Sequence, residues 1–167
     1  MRISATFLAL ALAALSLPAL AGKGHVHGEG SLEVVIDKDK LSLRLELPLD
    51  VAVGFERTPR NDKEKAALAA AQQVLSDPAL FAPTPAAGCK AEPARVEMPM
   101  FDGKKPAEHA DIEATHAFRC ATPAALKSVE TTIFKRFKQL YRLEARRAGP
   151  SGQGAARLTP KNPVLAW

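Results

Sequence analysis

The sequence predicts a single α+β domain: an antiparallel β-sheet with one main helix, short helical turns and one disulfide. Three observations carry this. Apolar and polar residues alternate on either side of a polar turn over 31–48 and again over 109–120, an alanine-rich stretch at 61–77 has helical spacing, and two cysteines follow an export-type leader.

Residues 1–21 read as a signal peptide, leaving 22–167 as the domain. Arg2 supplies a positive start, Phe7 to Leu17 form an apolar run of h-region length, and Ala19-Leu20-Ala21 is a small-x-small cleavage pattern. An uncleaved anchor is the competing reading, but the run falls short of the ~20 apolar residues of a membrane span. The expected location is the periplasm, with no stable membrane insertion after cleavage. Loss of Arg2 leaves 22 basic against 18 acidic side chains. That excess is small and mixed along the chain, so nucleic acid is not an expected partner.

"SLEVVIDKDKLSLRLELP" reads as a β-hairpin. Leu32, Val34 and Ile36 share one face, Asp37 to Lys40 form the turn, and Leu41, Leu43, Leu45 and Leu47 alternate with Ser42, Arg44 and Glu46. Pro48 is expected to stop the second strand. "RNDKEKAALAAAQQVLSDP" follows as the main helix, with Asn61 as cap and Glu64 able to complete a capping box. Leu68, Ala71 and Leu75 form its apolar stripe, and Asp77-Pro78 ends it.

A short strand is expected around Lys90 to Glu97. "EHADIEATHAFRC" alternates again, placing Ile112, Ala114, His116, Phe118 and Cys120 on one face and His109, Asp111, Glu113 and Thr115 on the other. Thr122-Pro123 is expected to cap a short helical turn. "SVETTIFKRFKQLYRLEARR" fits either one helix with a basic outer face or strand, helical turn, strand; its β-branched start favours the second. "GPSGQG" reads as a hairpin turn into Ala155 to Leu158, and "TPKNPVLAW" as a proline-stiffened tail.

Cys89 and Cys120 are the only cysteines. In an oxidising compartment an even count suggests a disulfide. Closing a loop of about 30 residues stabilises a fold by roughly 3–4 kcal/mol. A thiolate pair for metal or redox chemistry is the alternative, and no C-x-x-C supports the redox version.

The chain has four histidines. Extending the first strand's alternation backwards puts Val26 in phase with the apolar face and His25, His27 and Glu29 on the wet face. His25 and His27 can then offer two imidazole nitrogens to one ion, zinc or copper. Two ligands hold zinc poorly. His109 is the candidate third, with Glu29 or Asp111 completing the shell if the later strand runs beside the hairpin. His116, on an apolar face, is expected instead to be a core histidine bonded to a backbone carbonyl. The plain alternative is that His25-Val26-His27 is a polar tail. Met98-Pro99-Met100 offers soft thioethers, which makes copper the runner-up metal. No hydrolase elbow, H-E-x-x-H or phosphate-binding loop is present, so an enzyme is not expected.

Taken together, "HVHGEGSLEVVID", "LELPLDVAVGFERTPRNDKEKAAL", "AAGCKAEPARVE", "HADIEATHAFRCATPAAL", "IFKRF" and "GQGAARLTPKNPVLAW" resemble the ZrgA-like family of small exported bacterial proteins. The resemblance runs in order across nearly the whole chain after the leader. It implies a periplasmic zinc-binding role that supports zinc acquisition or buffering beside an ABC-type uptake system. His25, His27 and Gly28 match the family's H-x-H-G, His109 its later histidine, and Cys89 and Cys120 its cysteine pair. His116 stands where an aromatic is more usual. This chain departs in one place: a histidine- and aspartate-rich insertion is replaced by "MPMFDGKKPAE", which lowers the number of ions expected. An exported adaptor that binds a transporter or envelope protein through the basic stretch Lys135 to Arg147, with incidental histidines, is the alternative of a different class.

Overall fold

The computed structural model describes residues 26–99, 101 and 110–167. The leader, His25, Met100 and His109 lie outside the described residues.

β1 (Glu29–Asp37) and β2 (Lys40–Pro48) form the expected hairpin, with Leu32 opposite Leu45 and Val34 opposite Leu43. Leu32, Val34, Leu41, Leu43, Leu45 and Leu47 are each no more than 1% exposed. At roughly 1.5–3 kcal/mol per buried side chain, this face is a main source of stability.

β2 ends at Pro48, as expected, but the proline does more than stop it. It remains in the ladder opposite Asp111 and serves as N-cap to a helix the alternation did not announce, α1 (Leu49–Val53). Its φ of −56° already suits a helix start, and Leu49 and Val51 bury inward. Gly54, at φ +85°, closes α1 by donating its N–H to the Asp50 carbonyl at 2.7 Å.

The main helix is α2 (Asp62–Leu75), capped as expected by Asn61, whose side chain accepts from the Glu64 N–H at 2.9 Å. The reciprocal half of the capping box differs. Glu64 accepts from the Arg60 N–H at 2.7 Å because the Arg57 guanidinium forks onto its carboxylate at 2.7 and 2.9 Å. Ala71 and Leu75 are buried and Leu68 is half-buried, as the stripe required.

Next come β3 (Phe81–Pro83), β4 (Cys89–Ala91) and β5 (Arg95–Glu97), so the strand expected at 90–97 is two short ones. β6 (Asp111–Cys120) alternates as expected, and a disulfide joins Cys120 to Cys89, its register partner on β4. A short turn at Pro123–Ala125 is present, but the Thr122 side chain makes no capping bond.

The ambiguous segment resolves as β7 (Ser128–Thr131), α3 (Ile133–Arg136) and β8 (Arg142–Gly149). β9 (Gly152–Leu158) returns beside β8, and the tail adds β10 (Val164–Ala166).

The large sheet has the order β4-β6-β2-β1-β8-β9, with β5 also on β6. Its pairs are antiparallel except β1–β8, which is parallel. A small antiparallel sheet, β10-β7-β3, shares the same core.

Three polar residues are buried there among the described residues, of which Thr131 accepts from the Ile133 N–H at 3.2 Å. Arg147, only 8% exposed, donates to Ser151 Oγ at 3.0 Å and the Gly152 carbonyl at 2.9 Å, and lies over the Trp167 ring. That end of the basic stretch is therefore structural. His116 is 1% exposed and meets Phe81 edge-on, with ring centroids 5.0 Å apart. The expected backbone carbonyl is there: that of Leu75 acts on the ring as a hydrogen-bond acceptor, although neither ring nitrogen has a partner of full hydrogen-bond geometry among the described residues. Burial pushes its pKa down, while the Leu75 carbonyl and Asp77 act in the opposite direction.

Candidate metal centre

At one rim of the large sheet, β1, β6 and β8 begin where β2 ends. Glu29 stands opposite Arg142, Pro48 stands opposite Asp111, and the Leu49 N–H donates to the Ala110 carbonyl at 2.8 Å. The later strand thus runs beside the hairpin, along β2.

The strand alternation does not continue back through Val26. The chain turns instead: the Glu29 N–H donates to the Val26 carbonyl at 3.0 Å, and Val26 is 53% exposed. Gly28 makes the turn possible. Its φ is +80°, and a methyl group placed on it would lie 2.4 Å from Tyr141 Cε1. The turn carries His27 off the strand and over α1, where its Nδ1 hydrogen-bonds Asp50 Oδ2.

Glu56, just beyond Gly54, completes a cluster. One donor atom from each of His27, Asp50 and Glu56 lies within 4.8 Å of the others. Tetrahedral zinc ligands at ~2.0–2.1 Å from the ion are about 3.3 Å apart, so side-chain rotation alone can close the remaining gap. The loop bearing Glu56 is tied down by the Arg57–Glu64 fork and by Arg57 over the Phe55 ring at 5.0 Å.

The electrostatics are those of a site short of positive charge. Burial pushes the Glu56 carboxyl up, and the charges of Asp50 and Asp111 push it further, while His27 pulls it down. The His27 pKa is raised, first by its hydrogen bond to Asp50 and then by that carboxylate's charge. Asp50 Oδ1 is buried without a hydrogen-bond partner among the described residues.

Of the residues singled out from sequence, His27 is in this cluster, and Asp111 begins β6 close enough for its charge to act on Glu56. His25 and His109 are outside the described residues. Glu29 is engaged elsewhere, accepting from the Tyr141 hydroxyl at 2.9 Å and from Arg142 at 2.5 Å. Burial pushes its pKa up, but those two hydrogen bonds outweigh it and hold the carboxyl low. Met98 is half-buried against the core, and the converging donors are nitrogen and oxygen, so copper gains no support.

Asp50 and Glu56 were missed from sequence. The available signal was an acid in "PLDVAVGFE", between a proline that starts a helix and a glycine that ends it. Reading Pro48 as a stop concealed it.

A family model described as "ZrgA family zinc uptake protein" matches residues 24–167. No curated protein matches the chain. The chain belongs to the ZrgA family of zinc uptake proteins.

Proposed function

We propose that this ZrgA-family protein is an exported, periplasmic zinc-binding protein whose principal site is built on His27, Asp50 and Glu56. Zinc is its cargo, held or buffered for an ABC-type uptake system. The observation that carries the reading is the Asp50 carboxylate. One oxygen is engaged by His27, the other is buried without a partner of full hydrogen-bond geometry among the described residues, and Glu56 lies close enough to share a proton with this carboxylate, with Asp111 in electrostatic reach. Carboxylates brought together this way repel until a proton or a cation joins them. An imidazole among them makes a borderline ion such as zinc the natural choice over calcium or magnesium.

His25 and His109 are proposed as the remaining ligands, on covalent grounds. His25 is two residues from His27, and His109 is bonded to Ala110, whose carbonyl accepts from Leu49 next to Asp50. Zinc calorimetry on the mature chain, beside an Asp50→Asn/Glu56→Gln variant, tests this. One-to-one binding that weakens at least about tenfold in the variant is expected, the scale on which single metal-site partners matter. Equal affinity in both proteins would contradict it.

The adaptor reading keeps one observation in its favour. Lys135, Arg136 and Lys138 are exposed and form no ion pair among the described residues. Zinc-independent capture of an envelope protein, abolished by reversing those three charges, would favour it.

A further inference from the structure

We propose that Tyr141, within the segment Gln139–Tyr141, is the positioning residue that holds the His27 turn over α1 and so sets the geometry of the metal centre. Its zinc arm rests on the zinc reading above; the brace itself does not.

Phe137 and Leu140 anchor this segment in the core, being 6% and 1% exposed. Tyr141 points outward and is 49% exposed, so it adds little to core burial. What it touches is the turn. Its N–H donates to the Gly28 carbonyl at 2.9 Å, its ring fills the space a Gly28 side chain would need, and its hydroxyl donates to Glu29 at 2.9 Å. Arg142 holds the other Glu29 oxygen at 2.5 Å. The next-but-one residue faces the other half of the site. The Gln139 carbonyl lies 3.1 Å from a methyl group placed on Gly28, and its Nε2 lies 3.9 Å from one placed on Gly54, the residue that ends the helix carrying Asp50.

One three-residue segment therefore spans the turn that bears His27 and the end of the helix that bears Asp50. Among the described residues no strand pairing extends N-terminal to Glu29, so apart from the His27–Asp50 contact the turn depends on this brace and on its own Val26–Glu29 bond. Glycine at 28 serves the same arrangement: a larger residue would displace the ring and disfavour the backbone angle.

The test uses zinc as probe and the metal-free chain as control, with Tyr141→Phe and Tyr141→Ala. Tyr141→Ala should weaken zinc binding about 10- to 100-fold, the range for outer partners of metal ligands. Tyr141→Phe keeps the ring and the backbone bond and should stay within about threefold of the parent on the same scale. In the metal-free chain, Tyr141→Ala should speed hydrogen exchange at the Glu29 and Tyr141 amides and leave β2 and β6 unchanged. Parent-like zinc affinity in Tyr141→Ala would overturn the proposal, whereas an equal loss in Tyr141→Phe would support it and assign the bracing to the hydroxyl bond to Glu29. Faster exchange throughout the core would reduce Tyr141 to a general stability residue. If the parent itself takes up no zinc, the zinc reading fails, and the exchange pattern decides the brace alone.

Discussion

Asp50 holds His27 with one carboxylate oxygen and keeps the other buried without a partner among the described residues. This pair joins a turn before the first strand to a five-residue helix after the second. It raises the proton affinity of His27, so in the proposed zinc site protons and metal compete for one ring.

Zinc loading should follow that competition. The raised His27 pKa means that the His27–Asp50 pair stabilises the metal-free protein below the ordinary imidazole value and loses that contribution as pH rises through the folded value. Zinc needs the neutral ring, so the midpoint of the fall in apparent zinc affinity with pH should lie above that of a free imidazole, about 6.5. Asp50→Asn should move that midpoint down while weakening the plateau affinity. Zinc titrations between about pH 5.5 and 8, across the imidazole range, check both.

Removing metal should lower stability by mass action. At a zinc concentration of about 100 Kd the ion stabilises by about 2.7 kcal/mol, and a chelator should abolish this. At roughly 2–4 °C per kcal/mol for a chain this size, the melting shift is easily measured. His27→Ala should show a clearly smaller zinc-dependent melting shift than the parent at the same zinc concentration.

The disulfide should matter for stability and not for metal. Cys89 and Cys120 close a separation of 31 residues, worth about 3–4 kcal/mol in the chain-entropy model. Cys120 lies at the opposite end of β6 from Asp111, about 30 Å away at the rise of an extended strand. Cys89→Ser/Cys120→Ser should therefore lower the denaturation midpoint and leave zinc affinity within about twofold, as expected for distant, uncoupled sites.

His116 should make the fold acid-sensitive. Its lowered folded pKa means that its contribution is present above the ordinary imidazole value and is lost as pH falls toward the folded one. His116→Phe should remove that dependence and replace a buried, weakly hydrogen-bonded ring with an apolar one, a change worth about 1–3 kcal/mol. Urea denaturation at about pH 5 and 8, either side of the imidazole value, should show parent and variant diverging most at the lower pH.

The strands were legible because their alternation is strict. Leu32 to Leu47 and Ile112 to Cys120 lie on the buried face as the period of two requires. Within Ser128 to Arg147, the β-branched start correctly indicated strand, turn and strand. What stayed hidden was made of short or distant features. α1 has five residues, too few for a helical period, and its limits come from Pro48 and Gly54. The parallel β1–β8 pairing joins residues more than 100 positions apart, such as Glu29 and Arg142. The His27 turn was concealed because Val26 is apolar and fitted the alternation, while the left-handed backbone of Gly28 shows only in three dimensions. His27 was therefore singled out as a candidate ligand without Asp50 and Glu56, which α1 and its loop bring to it.

The most direct test of the zinc site is a crystal structure of the zinc-loaded mature protein with anomalous scattering at the zinc edge. The account predicts one principal ion within about 2.0–2.2 Å of a His27 nitrogen and of carboxylate oxygens from Asp50 and Glu56. An ion bound elsewhere, with His27 still paired to Asp50 and no metal between them, would contradict it.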